Sequence, residues 1–176
     1  DTGRHPAHAQ AILAAVHDSG RPIRHVLNTH WHLDHVGGNP ALRAAHPGLR
    51  VLASPAIHGA RAGFLAGYAD QLRGLLAAPP AGVDTDALHA ELARIEAGEA
   101  LLPDEAVSAG GGRELAGRRV QLGLAPDAVT AADLWLFDPA SGVLAAGDLV
   151  TLPAPFFDTA CPRGWSACVG CPGFMP

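Results

Sequence analysis

The sequence predicts one α/β domain built in layers. Apolar runs of strand length alternate with amphipathic stretches of helix length, punctuated by Gly, Pro, Asn and Asp; that alternation is how helices come to cover the faces of a sheet. Size agrees, since 176 residues suffice for one real core and not for two. Position supplies the third observation. The stretch NTHWHLDHVGGN, Asn28–Asn39, follows directly on an apolar run, at the strand end where open α/β folds gather ligands.

Taken in order, residues 1–3 (DTG) read as the end of a strand. HPAHAQAILAAVHDSG, residues 5–20, reads as a helix with Ile12, Leu13 and Val16 facing inward and Gly20 as its stop. IRHVLNTH, residues 23–30, reads as a short buried strand that delivers the histidine cluster. Gly37 and Gly38 turn the chain into a helix around NPALRAAHPG, with Asn39 as cap and Pro40 at the first helical position. LRVLAS, residues 49–54, is the next strand. From Pro55 to about Gly98 the pattern is helical, broken by PPAGVD. Phe64, Tyr68 and Leu72 recur there at helical spacing; core packing is the first reading and an apolar lid the second. RELAGRRVQLGL predicts a hairpin turned at Ala116-Gly117, and ADLWLFDPASGVLAAGDLV a second one turned by DPASG, its last strand ending at Gly147-Asp148. No internal repeat is present.

Composition narrows the function classes. Hydrophobic residues make up 48% and charged ones 16%, a globular rather than disordered balance. The net charge is -5 and all 12 basic residues are arginines scattered from Arg4 to Arg163, so nucleic acid has no electrostatic footprint. No apolar run reaches membrane-spanning length. The expected partner is therefore a small-molecule substrate, with oligomeric state open. No signal peptide and no initiating Met are visible, which leaves bacterial periplasm and cytoplasm both open. Cys161, Cys168 and Cys171 crowd the last sixteen residues. The Cys168/Cys171 pair has CxxC spacing but lacks the further ligands of a structural zinc site, so an incidental tail is the expectation.

The cluster carries the chemistry. His30 and His32, one residue apart in a tight loop, can share one metal ion, while Asp34 and His35 can address a second one nearby. Neutral imidazole suits zinc and carboxylate suits a harder or bridging position; two divalent ions would activate a water and clamp the oxyanion formed on attack. His17, His46, His58 and His89 stand alone on predicted helices or their ends, and His5 and His8 open the first one. Those six read as ordinary surface or core histidines.

HWHLDH, residues 30–35, resembles the His-x-His-x-Asp-His motif of the metallo-β-lactamase-fold hydrolases at every defined position. Asp1-Thr2-Gly3 is similar to the Asp-Thr-Gly that precedes that family's first long helix, and GVLAAGDLV to the strand that delivers its bridging Asp, so the likeness runs from Asp1 to about Trp165. Within the family, DLWLFDPASGVLAAGDLVTLPAPFFDTACP looks most like the sulfur-oxidation and quinoprotein-relay branch. The resemblance implies an αββα sandwich with a dinuclear zinc rim. It implies His30 and His32 as ligands of the first ion, Asp34 and His35 of the second, and Asp148 as the carboxylate bridging both. Asp34 would also be the catalytic group that orients the attacking water and handles its proton.

Two departures limit that inference. Where the family has a third His for the first ion, in a context like Ala-His-Thr-x-x-Asp, this sequence has Val129; Asp127, two residues away, is the nearest alternative donor. No His follows His89, so the last ligand of the second ion is missing as well. The expected organisation is residues 1–164 as a partial domain lacking N-terminal strands and the C-terminal end, with a helical insertion at about 55–98 and a Cys/Gly/Pro tail at 165–176. The expected function is a zinc-dependent hydrolase of an ester, thioester, amide or lactam bond. The alternative is an impaired relative holding one metal or none; an iron oxidoreductase of the same fold would need a flavin partner that the chain does not supply.

Overall fold

The computed structural model describes residues 1–152, 156 and 158–169. Helix α1 (Pro6–Ser19) begins with a proline, whose missing N–H costs nothing there, and ends at Gly20 with φ 63°. Strand β1 (His25–Leu27) pairs in parallel with β2 (Arg50–Ala53), and β2 in parallel with β3 (Glu105–Ala106). Between β1 and β2 lie the short helix α2 (Leu33–Val36) and α3 (Asn39–Ala45). A helical layer follows: α4 (Ala56–Ala60), a π-helical turn (Arg61–Leu65), α5 (Ala66–Ala77) and α6 (Thr85–Glu96). Asp84 caps α6 by accepting from the Ala87 backbone N–H.

The second sheet is an antiparallel meander of β4 (Gly111–Leu115), β5 (Arg118–Pro126), β6 (Ala132–Asp138) and β7 (Val143–Ala145). Side-chain alternation along β1 and β2 explains the layering. Val26 and Val51 turn toward Leu42 and Leu49, with Ile12 and Leu13 of α1 packed over them. Leu27 and Leu52 turn the other way and meet Val120, Leu122 and Leu134 of the second sheet. Helix α7 (Pro162–Val169) packs on β5, and the Trp165 indole N–H donates to the Leu149 carbonyl at 3.0 Å. No helix among the described residues is long and apolar enough to cross a membrane.

Three local expectations are revised. The strand expected over residues 23–30 stops at Leu27, because the chain there changes partners: the Thr29 carbonyl accepts from Leu134 N–H at 2.7 Å, in the other sheet. Asn39 does not cap α3; it is fully buried, accepts from Thr2 and donates to Asn28 and to the Leu101 carbonyl, so it stitches loops together. Strand β7 is an exposed edge strand, and Asp148 stands beyond it on a 3₁₀ turn, Gly147–Leu149. The CxxC reading depends on Cys171, which lies outside the described residues.

Candidate metal centre

The loop after β1 and the turn after β7 come together at one point. His30 is 1% exposed and forms the floor. Its Nε2 lies 3.0 Å from His32 Nδ1 and 3.8 Å from Asp148 Oδ2. His35 Nε2 lies 3.4 Å from Asp148 Oδ1 and 3.5 Å from Asp34 Oδ2. The donor atoms of His30, His35 and Asp148 all fall within 4.8 Å of one another. All five side chains expected at the site are thus gathered in one place, and α2 is the reason. One helical turn started at Leu33 puts Asp34 and His35 on the same side of the chain as His30, while Leu33 and Val36 are buried in the core behind them.

The outer nitrogens of the histidines are held by hydroxyls and a carboxylate. The Asp1 carboxylate accepts from Thr29 N–H at 2.8 Å and from the Thr29 hydroxyl at 2.9 Å, and it lies 2.9 Å from His35 Nδ1. With its own proton committed to Asp1, the Thr29 hydroxyl can only accept from His30 Nδ1, 3.1 Å away. The Thr159 hydroxyl donates to the Val129 carbonyl at 3.1 Å and therefore accepts from His32 Nε2 at 2.8 Å. Each ring thereby carries its proton on the outside. His30 Nε2, His32 Nδ1 and His35 Nε2 face inward; the proton that His35 Nε2 shares with Asp34 and Asp148 is the one a metal ion would displace.

The electrostatics match a site built for positive charge. Burial, with help from the neighbouring His35 and His32, pushes His30 down to about 3, and burial likewise lowers His32. Burial also works against charge on His35, but hydrogen bonds to Asp148 and Asp34 overcome it and hold the ring up at about 9. The same bond to His35 keeps Asp34 and Asp148 below the usual carboxylate range. Without a metal ion, His35 carries the compensating positive charge between two ionised carboxylates. Deeper in, burial raises Asp133 to about 6; its Oδ2 accepts from Thr130 N–H at 2.9 Å, and its Oδ1 has no hydrogen-bond partner among the described residues.

Glycines allow the close approach. Gly147 has φ 55°, and a Cβ there would lie 2.4 Å from Thr29 Oγ1. A Cβ on Gly38 would lie 2.3 Å from the Thr2 carbonyl oxygen. Val129 is fully buried with Ala125, Ala128 and Leu149, and Asp127 is exposed with φ 49°. Neither belongs to the group of converging donors among the described residues.

The metallo-beta-lactamase superfamily model matches residues 1–167. The chain belongs to that superfamily. Members of that superfamily include metal-binding hydrolases. Among solved structures, this superfamily member is similar to the metallo-beta-lactamase from Pontibacter korlensis: TM-score 0.61 and 19% identity over 94% of this chain and 62% of that one. A protein solved in a di-iron-bound form gives TM-score 0.59 at 22% identity, covering 90% of this chain and 68% of that one. At those identities the likeness establishes the fold alone. The hydroxyacylglutathione hydrolase of Rhodospirillum rubrum is 50% identical over 40 residues, 23% of this chain. That match spans only 16% of the relative, and 19% in the case of the Gloeobacter violaceus hydroxyacylglutathione hydrolase.

Beside the donors, this member of the superfamily carries a cleft of about 420 Å³. Leu72, one of the three helix-spaced apolar residues of the lid-or-core reading, is 2% exposed in the core, whereas Phe64 and Tyr68 line the cleft. Sequence reasoning passed over Asp1, Thr29 and Thr159 as functional residues. Asp1 had a signal in the Asp-Thr-Gly start; Thr159, a lone hydroxyl far down the chain, had none.

Proposed function

We propose that this chain is a zinc-dependent hydrolase acting on a small acyl substrate, with a thioester as the bond cleaved. The single observation behind this reading is the inward turn of the three imidazole nitrogens toward Asp34 and Asp148, with every outer ring nitrogen already tied to an acceptor. Neutral imidazole with carboxylate is a donor set suited to zinc. His30 and His32 would hold one ion and Asp34 and His35 a second, with Asp148 between them, 3.8 Å from His30 and 3.4 Å from His35. A bound zinc supplies an activated water and a Lewis-acid contact for the scissile carbonyl. Asp34, ionised and with its side chain 55% exposed and lining the cleft, would be the group that orients such a water and takes up its proton. The local likeness to hydroxyacylglutathione hydrolases favours a thioester over the ester, amide and lactam bonds that the same chemistry reaches.

A second reading has its own observation. Val129 stands where a third histidine of the first ion is expected, buried among apolar groups. On that reading the chain binds one metal or none and turns over poorly, because a catalytic zinc ordinarily has three protein ligands and a water. Metal content per chain by plasma mass spectrometry, combined with hydrolysis of a chromogenic lactam and of a thioester, separates the two. Two metals with thioester turnover supports the hydrolase; zero metal removes it.

A further inference from the structure

The cleft has a chemistry of its own. Its floor holds His32, Asp34 and Asp148, and its walls carry Trp31, Leu33, Phe64, Leu65, Tyr68 and Phe156. The aromatic rings are arranged around the floor. Trp31 stands edge-on to His32 with centroids 4.6 Å apart, Phe64 lies 5.4 Å from Trp31, and Phe156 lies 5.8 Å from His32. Phe64 and Phe156 are 45% and 50% exposed, and with Trp31 and His32 between them they leave a contiguous aromatic surface open beside the donors. Phe64 owes its position to the π-helical turn Arg61–Leu65, the irregular turn that helices tend to place at functional sites.

Charge completes the argument. Among the described residues Arg4 is the one arginine lining the cleft, and it is bound to Glu91, which also pairs with Arg94. Its guanidinium is therefore committed and offers no free charge to an anionic group on the substrate. We infer that the cleft selects thioesters with a large, uncharged, apolar acyl group, aryl or medium-chain, and discriminates against the small hydroxyacyl groups named for the relatives. This rests on the proposed hydrolase only for the bond that is cut; the preference itself belongs to the aromatic walls.

The test uses the zinc-loaded chain in two assays. Calorimetry compares the N-ethyl amides of octanoic, phenylacetic and hydroxyacetic acid, and turnover compares the corresponding thioesters of N-acetylcysteamine. The octanoyl and phenylacetyl compounds should bind about tenfold or more tighter than the hydroxyacetyl one, as burial of several methylenes requires. Phe64→Ser should shrink that ratio several-fold, and Phe64→Leu should recover most of it. Val83→Ser, at an exposed residue away from the cleft, should leave the ratio unchanged. Equal affinity for all three amides, or a ratio untouched by Phe64→Ser, would overturn the inference. Selective binding without thioester turnover would uphold the cleft preference and remove the hydrolase.

Discussion

Thr159 shows how much one hydroxyl can decide. It bridges the Val129 carbonyl and His32 Nε2, so it fixes which ring nitrogen of His32 is free. Thr159→Val should therefore weaken zinc binding about 10–100-fold, the usual effect of losing such a partner, and Thr159→Ser should restore it; a competitive chelator titration reads both. Val129→His should tighten zinc binding by tenfold or more by adding a third imidazole, measured the same way, and an unchanged affinity would mean Val129 does not stand at the missing ligand's position. Residues 30–35 were readable as a group because four metal-type side chains in six positions is a local pattern. Thr159 was not, since its role arises only when a segment 127 residues away folds over the cluster. Val129 was legible as a departure from the family's motif, although its burial came only with the structure.

At the level of elements, most of the sequence pattern became structure. Both hairpins form, and the first turns where expected, with Ala116 at φ 51° and Gly117 at φ 79° between the paired Leu115 and Arg118. Two successive left-handed residues define a tight hairpin turn that favours Asn-Gly. Alanine is poorly suited to that backbone, so Ala116→Asn should raise the unfolding free energy by about 0.5–1 kcal/mol in urea titration. The strand after α1 was harder to delimit. Its apolar run continues the extended pattern through Asn28 and Thr29, yet the hydrogen-bond partner changes from Leu52 to Leu134, and no local periodicity records which sheet a backbone will join. Asn39 misled for a related reason: an Asn before Pro at a helix start is an ordinary cap locally, and only the distant Thr2 and Leu101 give it another task.

At the level of the whole molecule, the two sheets pack around an acid that is unusually hard to ionise. Asp133 sits at about 6 in the folded state against 3.8 for a carboxyl free in water, so folding favours its protonated form. Its contribution is fully present below about pH 4 and is lost as pH rises through 6, on the order of 2–3 kcal/mol in all. For the metal-free chain, the stability difference between the wild type and Asp133→Asn should shrink by that amount between pH 4 and 7, as read from chemical unfolding; a constant difference would sink the assignment. His30 and His35 titrate too, but they do so in both proteins and drop out of the comparison. The layered class was legible because it rests on alternation along the whole chain, whereas the pairing of a parallel sheet with an antiparallel one depends on contacts that no single segment contains. The bonds from Asp1 to His35 and from Thr159 to His32 have a consequence in time. During synthesis His30 to His35 emerge early, yet His32 receives its outer partner only after residue 159 has left the ribosome and the long intervening loop has closed. The centre is thus completed late, and in refolding the capture of metal should lag behind the appearance of helix.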